Sequence, residues 1–139
     1  MTTGRVAAID VGTNTVRLLL ADPPEPGDAR ALRQLDRDMV IARLGEGVDA
    51  GRVLQAAAIQ RTVEAIATFV RRAQDGGATR IVIAGTSAVR DAANRAELSG
   101  AVLLATGVAL EVLDGVAEAR LAFSGAASGT DVAGGAVVC

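Results

Sequence analysis

Two short apolar runs open the chain and flank a polar turn. Residues 6–9 read Val-Ala-Ala-Ile, residues 16–21 read Val-Arg-Leu-Leu-Leu-Ala, and Asp-Val-Gly-Thr-Asn-Thr lies between them. Apolar runs around a turn of Gly, Thr and Asn are typical of a β-hairpin. Three Pro and one Gly in residues 22–28 then predict a loop. The charges of residues 31–44 fit an edge strand or a helix, and we favour a third strand that ends at the Gly-Glu-Gly of residues 45–47.

A helical period begins after this strand. Within residues 51–74 the apolar positions recur at i, i+4, i+7 and i+11, namely Ile59, Val63, Ile66 and Val70. This spacing predicts an amphipathic helix, which the Gly pair at residues 76–77 ends. The continuous apolar run at residues 81–84 predicts a buried strand.

Helices and strands alternate in the second half of the chain. The pattern predicts a helix over residues 88–105 with a break near residues 99–100, then a strand over residues 110–113. A helix over residues 116–126 and the start of a strand at residues 136–138 follow. A three-stranded antiparallel meander followed by strands that arrive through helical crossovers makes an α/β sheet.

Composition excludes several function classes. Half of the 139 residues are hydrophobic and the net charge is −2, so we expect one folded domain that binds neither nucleic acid nor an anionic membrane surface. With no His, an imidazole base and a His-ligated metal are excluded. The single cysteine, Cys139, forms no intrachain disulfide. The first residues do not resemble a signal peptide and no apolar run reaches the ~18–20 residues of a membrane helix, so we expect a cytoplasmic protein.

Two polar segments that follow predicted strands suit an anion. Backbone N–H groups and polar side chains in the turn at residues 12–15 suit phosphate oxygens, and the carboxylate of Asp10 suits Mg²⁺. A structural hairpin turn with an Asx motif uses the same residues. Thr86 and Ser87 either cap a helix or bind an anion together with Arg90, whose planar fork matches phosphate.

A third polar segment follows the strand at residues 110–113. Asp114 is a suitable N-cap, which puts Glu118 in the first helical turns. An acidic residue there is favoured by the helix dipole, so a structural role is sufficient. Alternatively, Glu118 is a general base that activates water, the catalytic task left to carboxylates in a chain without His.

Four segments, in this order, resemble one family, the Ppx/GppA phosphatases, which are exopolyphosphatases and guanosine pentaphosphate (pppGpp) phosphohydrolases. The segments are Ile-Asp-Val-Gly-Thr-Asn-Thr-Val-Arg-Leu (residues 9–18), Arg-Leu-Gly-Glu-Gly-Val (43–48), Gly-Thr-Ser-Ala-Val-Arg-Asp-Ala-Ala-Asn (85–94) and Glu-Val-Leu-Asp-Gly-Val-Ala-Glu-Ala-Arg-Leu (111–121). The resemblance covers nearly the whole chain. It implies the actin-like, ribonuclease-H-like ATPase fold and the hydrolysis of a terminal phosphoanhydride of polyphosphate or pppGpp with Mg²⁺.

The resemblance also implies roles for individual residues. Asp10 binds the metal, and Glu118 is the catalytic residue that activates water. The substrate phosphates are bound by Gly12, Thr13, Asn14, Thr15, Thr86, Ser87 and Arg90. Members of the family are often dimeric, so a homodimer is one expected assembly.

The chain departs from the family's pattern at two places. The family usually has Ser-Gly-x-Glu-Glu-Ala-Arg at residues 114–120, and here Ala117 replaces the first Glu while Glu118 is kept. The chain also ends one residue before the Asp of the family's second phosphate motif. We therefore expect residues 1–139 to be the first subdomain of an actin-like domain, incomplete at its C-terminus and inactive or nearly so alone. Two alternatives stay open: an actin-like small-molecule kinase, and a non-catalytic paralogue that binds phosphate or nucleotide.

Overall fold

One mixed β-sheet organises the chain in the computed structural model, which describes residues 4–23, 33–48 and 50–113. In chain order the elements are β1 (Val6–Val11), β2 (Thr15–Asp22), β3 (Arg33–Ile41), α1 (Ala56–Asp75), β4 (Arg80–Gly85), α2 (Ser87–Asp91), α3 (Arg95–Thr106) and β5 (Leu110–Val112). The strand order is β3-β2-β1-β4-β5. Strands β1 to β3 are antiparallel neighbours, whereas β4 is parallel to β1 and β5 is parallel to β4. The predicted meander, including its third strand, and the predicted crossover strands at residues 81–84 and 110–113 are confirmed.

The two faces of the sheet differ in burial. Along β1, Ala7, Ile9 and Val11 are buried, whereas Ala8 and Asp10 are exposed. Because successive side chains of a strand point to opposite faces, this alternation assigns one face to the core and leaves the other open among the described residues. Asp10 therefore belongs to the open face.

Helices α1 and α3 supply the other half of the core. Ile66 and Phe69 of α1 and Leu98 and Val102 of α3 are fully buried in one cluster with the inner face of the sheet. Burial of each such side chain stabilises the fold by ~1.5–3 kcal/mol. The predicted period is confirmed, because three of its four positions are buried and Val63 is half-buried.

An arginine of α1 fastens the edge strand β3 to the core side of the sheet. Arg72 donates to both carboxylate oxygens of Asp36, at 2.6 and 2.7 Å, and also to Asp38. Hydrogen bonds from Arg72 hold the pKa of the Asp36 carboxyl below its ordinary value. For Asp38, the backbone N–H of Met39 lowers the pKa most, followed by Arg72.

The helix boundaries differ from the sequence-based prediction at two points. Helix α1 begins at Ala56 rather than at residue 51, and Arg52, in the preceding segment, has a φ of +57°, which a right-handed helix does not allow. The predicted break near residues 99–100 was wrong, because these residues lie within α3. The chain breaks at residues 92–94 instead, where Ala93 N–H donates to the carbonyl of Arg52 at 2.8 Å.

The amide side chain of Asn94 fixes this break. Its Oδ1 accepts from the N–H of Leu54 at 2.8 Å, and its Nδ2 donates to the carbonyl of Leu54 at 3.1 Å. These hydrogen bonds join residues 40 apart, so no local pattern contains them.

Several predicted elements lie outside the described residues, namely most of the loop at residues 22–28, the helix at residues 116–126 and the strand at residues 136–138. Within residues 4–23, 33–48 and 50–113, no helix combines the length and the apolar character needed to cross a membrane.

The predicted end of α1 at the Gly pair is confirmed, since Gly76 is its C-cap.

Candidate functional site

Two loops meet at one edge of the sheet, the turn between β1 and β2 and the junction between β4 and α2. Strands β1 and β4 are parallel neighbours, so their carboxyl ends reach the same edge, which is where ligands bind in open α/β sheets. The backbone N–H of Thr86 donates to the carbonyl of Val11 at 3.1 Å. Thr13 Oγ1 and Ser87 Oγ lie 3.4 Å apart, although 74 residues separate them in the chain. We call these two hydroxyl groups the hydroxyl pair.

A third segment, the turn that follows β3, supports the hydroxyl pair. The carbonyl of Asn14 accepts from the N–H groups of Ala42 and Arg43 at 3.0 and 2.9 Å, and the carbonyl of Thr13 accepts from Gly45 N–H at 2.9 Å. A Cβ at Gly45 would lie 2.7 Å from Thr13 Cγ2, which is closer than carbon atoms pack. Glycine is therefore what lets this turn approach Thr13 as closely as it does.

Thr86 does not cap α2 through its side chain. No capping hydrogen bond is made from Thr86 Oγ1, which donates instead to the carbonyl of Val11 at 3.3 Å. Thr86 occupies the predicted N-cap position of α2, but the predicted capping hydrogen bond of its hydroxyl is not formed. Its hydroxyl ties β4 to β1, and Ser87 is left as the first residue of a helix only five residues long.

Arg90 lies on the side of α2 that faces β5. Its Nη1 is 3.5 Å from the carbonyl oxygen of Leu113, and its Nε is 3.5 Å from Asp91 Oδ1. Leu113 N–H in turn donates to the carbonyl of Gly85 at 3.0 Å. The chain therefore leaves β5 beside the guanidinium group of Arg90. Glu118 lies beyond this point, outside the described residues, so its predicted role stays a prediction.

The remaining predicted site residues occupy different surroundings. Asp10 is exposed on the open face, where its neighbours in the sheet register are Arg17 of β2 and Ala84 of β4. The hydroxyl of Thr15 accepts a long hydrogen bond from Arg17 Nε at 3.4 Å, and the side chain of Asn14 is exposed.

The donor set around Asp10 bears on the expected metal. In the described part of the chain, no three Asp, Glu, Cys or His residues cluster in a way that could hold a metal ion. Glu111 lies in the same row of the open face but two strands away, about 10 Å from Asp10 by strand spacing. One carboxylate fits Mg²⁺, which commonly binds one or two carboxylates and completes its shell with water and substrate phosphates.

A cavity of about 310 Å³ opens next to the hydroxyl pair. Its lining residues are Thr13, Gly45, Val48, Arg52, Ser87, Ala88, Asp91 and Ala92. Of the eight predicted site residues that the structure describes, only Thr13 and Ser87 line it. Gly45 and Asp91 lie in segments that the sequence marked through the family resemblance, whereas Arg52 carried no sequence signal of a site.

Comparison with known proteins agrees with this geometry. Residues 26–139 match the Ppx/GppA phosphatase family. The chain belongs to this family. This match confirms the resemblance that was inferred from the four segments. The predicted actin-like α/β fold class is confirmed by the solved structures that superimpose on the chain.

Among curated proteins, the chain is 41% identical over 129 residues to exopolyphosphatase 2 of Mycobacterium tuberculosis, which covers 88% of this chain and 40% of that protein. Among solved structures, an exopolyphosphatase-like protein superimposes with a TM-score of 0.80 at 34% identity, over 88% of this chain and 36% of the other. A Ppx/GppA family member of Aquifex aeolicus gives a TM-score of 0.78 at 28% identity, over 88% and 39%. The chain thus spans about two fifths of the length of the relatives it matches.

Proposed function

We propose that this protein is a phosphoanhydride hydrolase that releases the terminal phosphate of inorganic polyphosphate. The observation that carries the proposal is the distance of 3.4 Å between Thr13 Oγ1 and Ser87 Oγ at the carboxyl edge of the sheet. Arg90 lies three residues after Ser87 in helix α2. The names of the relatives support the same substrate, since the M. tuberculosis protein is an exopolyphosphatase. pppGpp ends in the same kind of phosphoanhydride, so it is the second substrate to test.

The two loops supply neutral and cationic donors to the phosphate oxygens. The turn at residues 12–15 offers backbone N–H groups with the side chains of Thr13, Asn14 and Thr15, and the second loop offers the Ser87 hydroxyl. Arg90 adds charge-assisted hydrogen bonds, which are about twice as strong as neutral ones. Thr86 contributes through its loop rather than its hydroxyl, which is hydrogen-bonded to Val11.

Asp10 is the residue that would hold Mg²⁺. The exposed carboxylate at the end of β1, next to the phosphate-binding turn, fits a site that substrate oxygens and water complete. When bound, the ion supplies positive charge that neutralises the phosphate oxygens during transfer.

Glu118 is the proposed general base. Its carboxylate takes a proton from water, the water oxygen forms a bond to the terminal phosphorus, and the bond from that phosphorus to the bridging oxygen breaks. The bridging oxygen leaves with the electron pair on the shortened polyphosphate, and orthophosphate is released. The match of residues 111–121 to a family segment supports this role, and Leu113, five residues before Glu118, lies beside Arg90.

The test is phosphate release from polyphosphate with Mg²⁺, measured on the protein as its host makes it, beside Glu118→Gln and the control Glu97→Gln. Glu97 is an exposed carboxylate in the first turn of α3. Loss of a general base should lower kcat by ~10²–10⁴-fold, whereas the control should keep the full rate. Full activity of Glu118→Gln would contradict the assignment of the base.

An added phosphate acceptor and a binding measurement separate the alternatives. A kinase would transfer phosphate to an added acceptor and release little in its absence. A binding paralogue would bind polyphosphate in a calorimeter without releasing phosphate. Absence of both binding and release would contradict the proposed function as a whole.

A further inference from the structure

The cavity and Arg90 lie on different sides of α2. Ser87, Ala88 and Asp91 line the cavity, whereas the guanidinium of Arg90 points to the carbonyl of Leu113 on the β5 side. The hydroxyl of Ser87 stands at the boundary between the two regions. A phosphate held at the hydroxyl pair therefore has Arg90 on one side and open space on the other, so a substrate with more than one phosphate can continue into the cavity.

Arg52 supplies a cation to the lining of this cavity. Its backbone adopts the left-handed conformation (φ +57°), which is uncommon for a residue with a side chain. Hydrogen bonds to the loop after α2 hold this conformation. Ala93 N–H donates to the carbonyl of Arg52, and the side chain of Asn94 makes two hydrogen bonds to the backbone of Leu54. Residues at such strained positions recur at binding sites, where the surrounding structure fixes them.

The guanidinium of Arg52 is uncommitted. It makes no hydrogen bond and no ion pair with any residue that the structure describes, although it lines a cavity that also contains a carboxylate. That carboxylate, Asp91, is 3.5 Å from Nε of Arg90. The guanidinium of Arg52 can therefore bind an anion in a bidentate fashion, as guanidinium groups do with phosphate.

We propose that Arg52 binds a second phosphate of the substrate chain, adjacent to the terminal phosphate at the hydroxyl pair. The proposal rests on the proposed function and extends it, because it makes the cavity the path of the polyphosphate chain. Arg52 is then a residue that determines specificity for chains of phosphate over a single phosphate ion. It contacts substrate but takes no part in the transfer itself.

The test compares the affinities of the protein for orthophosphate and for inorganic tripolyphosphate by calorimetry, with Mg²⁺ present. The variants are Arg52→Gln and Arg52→Lys, which share the backbone cost of a side chain at positive φ and differ in charge. The control is Arg71→Gln, since Arg71 is exposed on α1 and its guanidinium hydrogen-bonds to Thr68 on its own helix. For Arg52→Gln we expect tripolyphosphate to bind ~10-fold more weakly and orthophosphate to bind as before. Arg52→Lys should recover part of the loss, and the control should lose nothing.

Steady-state kinetics distinguish a contact with the substrate from a purely structural role of Arg52. For Arg52→Gln, KM for polyphosphate should rise ~10-fold while kcat stays near its value in the unaltered protein, because the contact is not confined to the transition state. Unchanged tripolyphosphate affinity in Arg52→Gln would overturn this inference and leave the proposed function standing. Equal losses for orthophosphate and tripolyphosphate would also overturn it. If the unaltered protein binds no tripolyphosphate, the proposed function fails and this inference fails with it.

Discussion

The two hydrogen bonds between Asn94 and Leu54 contribute to the free energy of unfolding by an amount that follows from their number and burial. Asn94→Ala removes one acceptor and one donor, which lie 2.8 and 3.1 Å from the backbone N–H and carbonyl of Leu54. A hydrogen bond of this kind contributes ~0.5–1.5 kcal/mol net, so the pair contributes ~1–3 kcal/mol. Leu54 is buried, with 3% of its surface exposed, so its orphaned backbone groups are poorly reached by water. That places the expected loss in the upper half of the range, at ~2–3 kcal/mol.

Urea unfolding followed by far-ultraviolet circular dichroism measures this loss, because the chain has neither Trp nor Tyr to report by fluorescence. Gln60→Ala is the matched control. It removes another amide, whose single hydrogen bond to Glu64 is exposed on α1 and contributes only ~0.2–0.5 kcal/mol. Hydrogen exchange at the amide of Leu54 gives a local readout, and its protection should fall in Asn94→Ala. A loss below ~0.5 kcal/mol with unchanged protection of Leu54 would show that these two hydrogen bonds do not stabilise the fold.

Three further predictions concern the substitution of a single residue. The pKa values of the two β3 carboxylates are lowered in the folded chain, so their contacts stabilise it above the unfolded pKa of ~4, and this stabilisation is lost as the pH falls through the folded values. Arg72→Gln should therefore lower stability most near neutral pH, and its difference from the unaltered protein should shrink in urea melts below pH ~4. Gly45→Ala should turn the Thr13 side chain away from its partner hydroxyl, which weakens polyphosphate affinity in calorimetry with little change in Tm. Gly100→Ala should raise the free energy of unfolding by ~0.5–1 kcal/mol, because a Cβ there meets no atom within 4 Å and the residue lies inside α3.

The elements that the sequence predicted well are those with a local cause. The β1–β2 hairpin follows from two apolar runs around a polar turn, and α1 follows from the period of Ile59, Ile66 and Val70. In each case the residues that determine the element are neighbours in the chain or one helical turn apart, so the pattern contains the whole argument.

The break between α2 and α3 has no such local cause. The Ser-Gly pair at residues 99–100 looked like a helix breaker, yet the helix continues through it, since a single Gly costs a helix only ~1 kcal/mol. Residues 92–94 leave the helix because they hydrogen-bond to residues 52–54, a segment that no period or motif linked to them.

The residues of the candidate site also divide into those that a local pattern predicts and those that only the fold brings into place. Thr13 and Ser87 were predicted because each lies in a polar segment directly after an apolar strand, and the parallel pairing of β1 and β4 brings these segments together. Arg52 was missed, because its position depends on a left-handed backbone and on contacts to residues 93 and 94. A charged residue in a polar loop is common, and only the fold shows that this one faces a cavity.

The most direct test of the proposed site is a map of where a phosphate chain binds. Amide chemical shifts of this 139-residue chain can be followed by NMR while inorganic tripolyphosphate is added in the presence of Mg²⁺. We expect the largest changes at Gly12, Thr13, Ser87 and Arg90, which lie at or after the carboxyl ends of β1 and β4. Changes confined to other surfaces, such as the exposed strand β3, would contradict this expectation, and so would the absence of any change at these four amides.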